Sequence, residues 1–350
     1  MKTEVRIGHR LIGDGHAPFF IAEMSGNHNQ SLERALTIVD AAADAGADAL
    51  KIQTYTADTM TLNISKGEFV VNDSKNLWKG RNLYDLYNEA MTPWEWHMPI
   101  KKRCEERGMQ FFSSPFDFTA VDFLEECKVD FYKIASFENT DIPLIKKVAK
   151  TGKPMIISTG MASVTELSET VEAARKAGCK DIILLKCTSA YPSSPKDANL
   201  LTIPHMRELF NVEVGLSDHT MGMGVAIASV ALGASIVEKH FTLDRSEGGV
   251  DSAFSMEPAE FKCMVEESKK AWESLGHVSY ERGEAETKAL VFRRSLYIAE
   301  NMKSGDTFNT KNLRSIRPGL GLPPKYLELF LGKKINKDVS RGTPLNWDYL

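Results

Sequence analysis

From Phe19 to about Leu275 the chain repeats one unit: a short apolar run, a polar turn, then a stretch of helical periodicity roughly 10 to 16 residues long. The apolar runs are Phe19–Glu23, Ala47–Tyr55, Met109–Ser114, Val129–Ser136, Pro154–Thr159, Asp181–Ser189, Val212–His219 and Ser235–Thr242. Thr92-Pro93-Trp94-Glu95 and Ser163-Val164-Thr165-Glu166 mark helix starts, in which a hydroxyl caps the first turn and a glutamate reaches back. Gly46, Gly108 and Gly178 follow Ala-, Lys- and Arg-rich stretches, as left-handed terminating residues do. The runs are apolar throughout rather than alternating, which predicts a parallel sheet covered on both faces. Eight strand–helix units predict an α/β fold closed into a (β/α)8, or TIM, barrel. An open doubly wound sheet would carry a glycine-rich first turn. Here that turn reads Met24-Ser25-Gly26-Asn27-His28-Asn29, and neither GxGxxG nor GxxxxGK(S/T) occurs.

The pattern changes after the eighth unit. His277 to Leu290 is polar and weakly periodic, which predicts a barrel domain over 1–276, a linker over 277–292 and a small β-rich domain over 293–350. Arg317-Pro318-Gly319-Leu320-Gly321-Leu322-Pro323-Pro324 is too rich in breakers for helix. Gly305, Phe308, Asn309 and Leu313 recur at the same offsets as Gly342, Leu345, Asn346 and Leu350, as two related half-units packed face to face would. A domain of under about 60 residues buries little surface, so it is expected to lean on a partner.

Charge narrows the partners. With 43 Lys+Arg against 47 Asp+Glu the net charge is −4, which gives no electrostatic reason to expect nucleic acid or an anionic membrane. Met1 to Arg10 lacks the apolar core of a secretory leader, and no run approaches the roughly 18 apolar residues of a spanning helix, so a cytoplasmic protein is expected. Five widely spaced cysteines without a CxxC pair support neither a disulfide framework nor a thiolate zinc site.

Reactive groups of a β/α barrel project from the C-terminal strand ends. Nearly every predicted strand ends in polar residues: Glu23; Lys51 and Gln53; Ser113-Ser114; Lys133, Ser136 and Glu138; Ser158-Thr159; Lys186 and Ser189; Ser217-Asp218-His219; Glu238 and His240. Lys51, Lys133 and Lys186 are thereby expected to face one mouth. A buried ammonium costs free energy unless it meets an anion, so the set predicts a phosphate-plus-carboxylate pocket, with pairing to Glu23, Glu138 or Glu238 the alternative for any one lysine. His219 and His240 are expected to reach one ion, with Glu23, Glu238 or Asp251 in range, and two imidazoles plus oxygen ligands suit a borderline cation such as Mn2+. His28 is a third candidate ligand, whereas His9, His16, His97, His205 and His277 have no strand-end placement.

Together, Ile21-Ala22-Glu23 with Gly26-Asn27-His28, Lys51-Ile52-Gln53-Thr54, Ser113-Ser114-Pro115-Phe116, Tyr132-Lys133-Ile134-Ala135-Ser136, Ser158-Thr159-Gly160-Met161, Gly215-Leu216-Ser217-Asp218-His219-Thr220 and Glu238-Lys239-His240-Phe241 resemble the sialic acid synthase family. Arg317-Pro318-Gly319 resembles that family's C-terminal antifreeze-like (SAF) domain. Leu77-Trp78-Lys79-Gly80, Leu83-Tyr84-Asp85-Leu86-Tyr87, Met91-Thr92-Pro93-Trp94-Glu95-Trp96 and Ala135-Ser136-Phe137-Glu138 look like the pseudaminic acid synthase branch, as does Lys186, where neuraminate enzymes usually carry histidine.

The resemblance implies that C3 of phosphoenolpyruvate attacks the aldehyde of 2,4-diacetamido-2,4,6-trideoxy-L-altrose, water adds at C2 and phosphate leaves with C–O cleavage, giving pseudaminic acid. The alternatives are the same chemistry on N-acetylmannosamine or the legionaminic acid precursor, a Schiff-base aldolase using Lys133 or Lys186, and a non-catalytic sugar-binding protein. By resemblance, Lys51, Lys133, Ser136, Ser158, Ser189 and Ser217 line the phosphoenolpyruvate pocket, with Gln53, Ser114 and Phe116 on the substrate-binding walls. Ser189 stands where neuraminate synthases have asparagine. His219 and His240 would hold a divalent metal ion, Mn2+, Mg2+ or Co2+. Glu23, Glu138, Glu238 and Asp251, with Tyr191, would fix the aldehyde, the attacking water or the sugar hydroxyls. Arg317 is expected to reach from the SAF domain into the partner subunit's barrel, which makes a domain-swapped homodimer the expected state.

Overall fold

A computed structural model describes residues 4–13, 15–72 and 78–350, so Leu77 of the Leu77-Trp78-Lys79-Gly80 motif lies outside the described residues. The chain divides into two compact units, 1–276 and 277–350.

The first unit opens with a feature that the periodicity did not announce, an antiparallel hairpin of β1 (Glu4–Ile7) and β2 (Arg10–Gly13). Eight parallel strands then close into a barrel: β3 (Phe19–Glu23), β4 (Ala49–Thr54), β5 (Gln110–Pro115), β6 (Tyr132–Ile134), β7 (Met155–Ser158), β8 (Ile182–Cys187), β9 (Glu213–Asp218) and β10 (Ile236–His240), with β10 pairing back onto β3. Alternation along each strand explains the unbroken apolar runs. Phe19, Ile21, Ala49, Phe112, Phe131, Ile156, Ile183, Leu185 and Ile236 fill the lumen, while Phe20, Ala22, Leu50, Ile52, Ile134, Ile157, Leu184 and Val237 meet the helices outside.

Val5, Ile7 and Ile12 of the hairpin join the lumen cluster, closing the N-terminal end of the barrel with apolar side chains. The hairpin sits tightly there. Gly8 has φ +52°, and a Cβ on it would come within 2.1 Å of Gln110 Oε1, so the turn requires glycine. The remaining inward positions at the C-terminal end carry polar groups; at the other end Gln110, two residues before Phe112 on β5, meets the hairpin.

The predicted caps are partly observed. Ser163 Oγ accepts from Glu166 N, while Glu166 Oε2 accepts from Ser163 N, closing a capping box on the helix Val164–Lys176. Gly46, Gly108 and Gly178 all have positive φ. Thr92 does not cap the helix that follows it; its hydroxyl lies 3.3 Å from His28 Nε2 instead. Among the described residues no helix is long and apolar enough to cross a membrane.

The second unit holds the segment expected as linker, where Glu284–Ala289 forms a short helix, and an antiparallel pair, β11 (Ser295–Ile298) and β12 (Leu313–Ile316). The sequence echo has a structural counterpart. Gly305 and Gly342 share positive φ (93° and 89°), Phe308 and Leu345 are both core residues, and Met302 and Val339, spaced by the same offset, exchange backbone hydrogen bonds of 3.0 and 2.9 Å. The echo ends at its last position, since Leu313 is buried and Leu350 is exposed.

Candidate active site

Parity decides which strand-end residues share the lumen. Glu23, Lys51, Gln53, Ser114, Lys133, Ser158, Cys187, Glu238 and His240 lie an even number of residues from the apolar lumen fillers Ile21, Ala49, Phe112, Phe131, Ile156, Leu185 and Ile236, and Ser217 lies an odd number from the outward Val214. Lys186 does not. It stands on the parity of Ile182 and Leu184, which face the helices, and its Nζ donates to Cys187 O at 3.0 Å. The expectation of three lysines at one mouth is corrected to two, and Lys186 is removed as a Schiff-base candidate.

The two lumen lysines are held by the two glutamates. Lys51 Nζ lies 2.7 Å from Glu23 Oε2 and 3.9 Å from Glu238 Oε2, and Lys133 Nζ reaches across the lumen to Glu238 Oε1 at 3.4 Å. Lys133 also donates to Ser158 Oγ at 2.7 Å, and Ser217 Oγ donates to Glu238 Oε1 at 2.9 Å. Gln53 Nε2 donates to Glu23 Oε1 at 3.0 Å and to Ser25 Oγ at 3.1 Å, and Ser25 Oγ continues the chain to Asp251. Nine buried or half-buried polar side chains thus form one connected network.

Burial and pairing set the charges. Burial works against the Lys51 ammonium, but Glu23 and Glu238 together hold its pKa above the ordinary lysine value. Lys133 is pushed down by burial, only partly offset by Glu238. Glu238 is disfavoured as an anion by burial, yet Lys133 and Lys51 hold it below the usual carboxylate range. Burial raises Glu23 and Asp251.

Glu138, in the turn after β6, is pushed up to about 7 by burial, against the pull of Lys133, and its Oε2 is buried without a hydrogen-bond partner. Linkage then runs one way: stability is full below the carboxyl's ordinary range and is lost as pH rises toward 7. Glu138→Gln is expected to match the parent at pH 4.5 and to exceed it above pH 7, by about 1.4 kcal/mol for each pH unit crossed in between. Urea unfolding of both proteins at the two pH values checks this, and equal stability at high pH contradicts it.

The imidazoles lie on one rim. The rings of His219 and His240 have centroids 5.4 Å apart. His219 Nδ1 lies 3.0 Å from Thr188 O; donation there leaves Nε2 free, the arrangement by which a ligating histidine is oriented. Burial, with His219, Lys51 and Lys133 nearby, holds His240 well below its ordinary pKa and therefore neutral, and its buried Nδ1 has no protein hydrogen-bond partner. Among the described residues no three His, Cys, Asp or Glu side chains converge as a ready-made ion site. The pair fits a divalent ion whose other positions are taken by water or substrate oxygens.

Around this core, Tyr191 packs on His219 at 4.5 Å, Phe254 on Tyr191 at 5.2 Å and on His240 at 5.0 Å, and Phe116 on Tyr55 at 5.2 Å. Ser136 Oγ donates to Cys187 Sγ at 3.3 Å, with Ser189 Oγ 3.9 Å from the same sulfur. Ser114 Oγ is buried in the lumen without a hydrogen-bond partner. His28 is not brought to the imidazole pair: burial lowers it to about 4, and it stands edge-on to Trp96 at 5.5 Å. Arg317 belongs to the second unit, exposed just after β12. Sequence reasoning missed Cys187, Ser25, Phe254 and Tyr55 as neighbours of the site. Parity along β8 was the available signal for Cys187; no signal marked the other three.

The match to known proteins follows this geometry. Residues 38–280 match the NeuB family and residues 293–350 the SAF domain. The chain belongs to the NeuB family. This NeuB family member is 46% identical over 327 residues to a pseudaminic acid synthase of Campylobacter jejuni subsp. jejuni, across 93% of this chain and 95% of that one. It is 43% identical over 335 residues to a pseudaminic acid synthase of Helicobacter pylori, across 95% and 97%. Its fold matches the crystal structure of the N-acetylneuraminic acid (sialic acid) synthetase of Leptospira borgpetersenii serovar Hardjo-bovis in complex with citrate, with a TM-score of 0.73 and 32% identity over 83% of this chain and 96% of that one. These relatives are synthases, which places the chain among enzymes.

Proposed function

We propose that this protein is a pseudaminic acid synthase that joins phosphoenolpyruvate to 2,4-diacetamido-2,4,6-trideoxy-L-altrose and releases phosphate. The observation that carries the reading is the pair of lumen ammoniums, Lys51 and Lys133, set beside two buried imidazoles in a chain 43% and 46% identical to two pseudaminic acid synthases. C3 of the enol phosphate forms the new bond to the aldehyde carbon, whose oxygen takes a proton. Water adds at C2, gives up a proton, and the C2–O bond to phosphate breaks.

Lys51 and Lys133 would bind the carboxylate and phosphate, exchanging Glu23 and Glu238 for substrate anions, with the hydroxyls of Ser136, Ser158, Ser189 and Ser217 completing the cradle. Glu23, Glu138 and Asp251, all raised above the ordinary carboxylate range, are the groups able to accept or hand over a proton near neutral pH. A divalent ion at His219 and His240 supplies Lewis-acid polarisation of the aldehyde when bound. Tyr191 and Phe254 form an apolar wall beside that position, suited to the methyl groups of a deoxy, diacetamido sugar.

A homodimer is part of the proposal, with the partner subunit's Arg317 reaching the sugar. Its support is a set of exposed apolar side chains, Phe118, Phe137, Met161, Leu201 and Met221, in the segments that follow β5, β6, β7, β8 and β9. The five cysteines are unpaired, which supports a reducing, cytoplasmic setting.

The test is phosphate release from phosphoenolpyruvate across a panel of aldoses. Turnover is expected with the L-altrose derivative, negligible with N-acetylmannosamine, lost on chelation and restored by Mn2+. Comparable turnover of N-acetylmannosamine overturns the substrate assignment, and full activity in chelator overturns the metal.

A further inference from the structure

We propose that Asn139 is a positioning residue for the phosphoenolpyruvate end of the site, acting by clamping the turn after β7. The inference rests on the function proposed above. Asn139 follows Ser136 and Glu138 in the turn after β6, yet its side chain is directed away from solvent, with only 2% of the residue exposed. Its carboxamide nitrogen donates to Ser158 O at 3.1 Å and to Gly160 O at 3.0 Å, the two carbonyls that bracket Thr159. The residue is fixed from behind as well, because Thr170 Oγ1, on the helix Val164–Lys176, donates to Asn139 O at 2.5 Å.

The clamped turn meets the anion pocket directly. Ser158 Oγ accepts from Lys133 Nζ. Gly160 approaches the opposite hydroxyls so closely that a Cβ there would lie 2.1 Å from Ser189 Oγ and 2.8 Å from Ser136 Oγ. Asn139 therefore sets the spacing between the turn that carries Ser136 and the turn that carries Ser158 and Gly160, without lining the pocket itself. Both amide protons are used on carbonyl oxygens. Aspartate has the same shape but cannot supply two donors, and glutamine is one methylene too long. Hydrogen-bond donors around an anion work only at about 3 Å, and a 1 Å misplacement can cost about 10²-fold.

Steady-state kinetics with each substrate varied in turn, on parent, Asn139→Asp, Asn139→Ala and Thr170→Val, tests the clamp. Both Asn139 variants are expected to raise KM for phosphoenolpyruvate at least tenfold while KM for the aldose moves less than threefold. Phosphoenolpyruvate alone should no longer raise their melting temperature at a concentration that saturates the parent. Thr170→Val keeps the carboxamide and frees its backbone, so the same selective rise is expected at smaller size. General loosening of the fold would instead move both KM values or kcat alone. A folded Asn139 variant with KM for phosphoenolpyruvate within threefold of the parent overturns the proposal. Should the Asn139 variants not fold, an unchanged Thr170→Val does the same. A parent that releases no phosphate from phosphoenolpyruvate with any aldose fails at the earlier step, the function itself.

Discussion

Lys133→Met is expected to lower kcat/KM for phosphoenolpyruvate by about 10²–10³, the scale seen when one preorganised charge-stabilising donor is removed. Lys133 enters the lumen from β6, two strands round from Lys51 on β4, with Ser158 Oγ at 2.7 Å and Glu238 at 3.4 Å, and Lys51 is already engaged by Glu23 at 2.7 Å. Among the described residues no ammonium besides Lys51 and Lys133 is paired with Glu23 or Glu238, and Lys186 stands on the outward parity of Ile182 and Leu184. The fold should survive. Without Lys133, Glu238 keeps Ser217 and a distant Lys51 as partners, and burial then favours its protonation, so no bare charge remains. Phosphate release with phosphoenolpyruvate varied at saturating aldose measures the loss, with unfolding curves as the check on structure. Lys186→Met is the control, expected within threefold of the parent. Parental efficiency in Lys133→Met would remove that lysine from the site.

The contrast between these two lysines shows what the sequence could and could not disclose. The eight runs marked the barrel strands because both faces of a parallel barrel strand are buried, and the glycines after the helices marked their ends. Side-chain direction needed strand register. Val129–Ser136 and Asp181–Ser189 both carry a lysine, but only counting from the lumen residues Phe131 and Leu185 separates the inward Lys133 from the outward Lys186. The hairpin escaped notice because its strands are four residues long, with Arg and Glu among the apolar positions, too short for a periodic signal. Cross-lumen partners such as Lys133 and Glu238 lie 105 positions apart and meet only once the barrel closes. Asn139 carried no signal: an asparagine in a turn reads as turn chemistry, and only the placement of the β7 carbonyls shows its second use.

Lys239→Met is expected to destabilise the protein by about 3–5 kcal/mol, the cost of stranding one partner of a buried ion pair. In the sequence, Asp218 looked like one of three consecutive rim residues and Lys239 like part of a motif. In the fold they occupy paired positions on β9 and β10 and face away from the lumen, each with 1% of its side chain exposed. Lys239 Nζ lies 2.7 Å from Asp218 Oδ2 and donates to Thr220 O at 2.6 Å, while Asp218 Oδ1 accepts from Thr220 N at 2.9 Å. Methionine matches the aliphatic length of the lysine but leaves Asp218 buried without its ion-pair partner. The double variant Asp218→Leu/Lys239→Met removes both charges and is expected to recover most of the loss, since apolar replacement of a whole buried pair is often neutral or better. Urea unfolding of the two single variants and the double closes the cycle, and a Lys239→Met protein within 1 kcal/mol of the parent would show that the pair is not desolvated as its burial implies. The pair also sits one residue before His219 on one strand and one before His240 on the next, so it fixes the relative height of the two imidazoles. A double variant that is stable yet binds Mn2+ more weakly than the parent would separate the two things the pair does, holding the strands together and holding the rings in register.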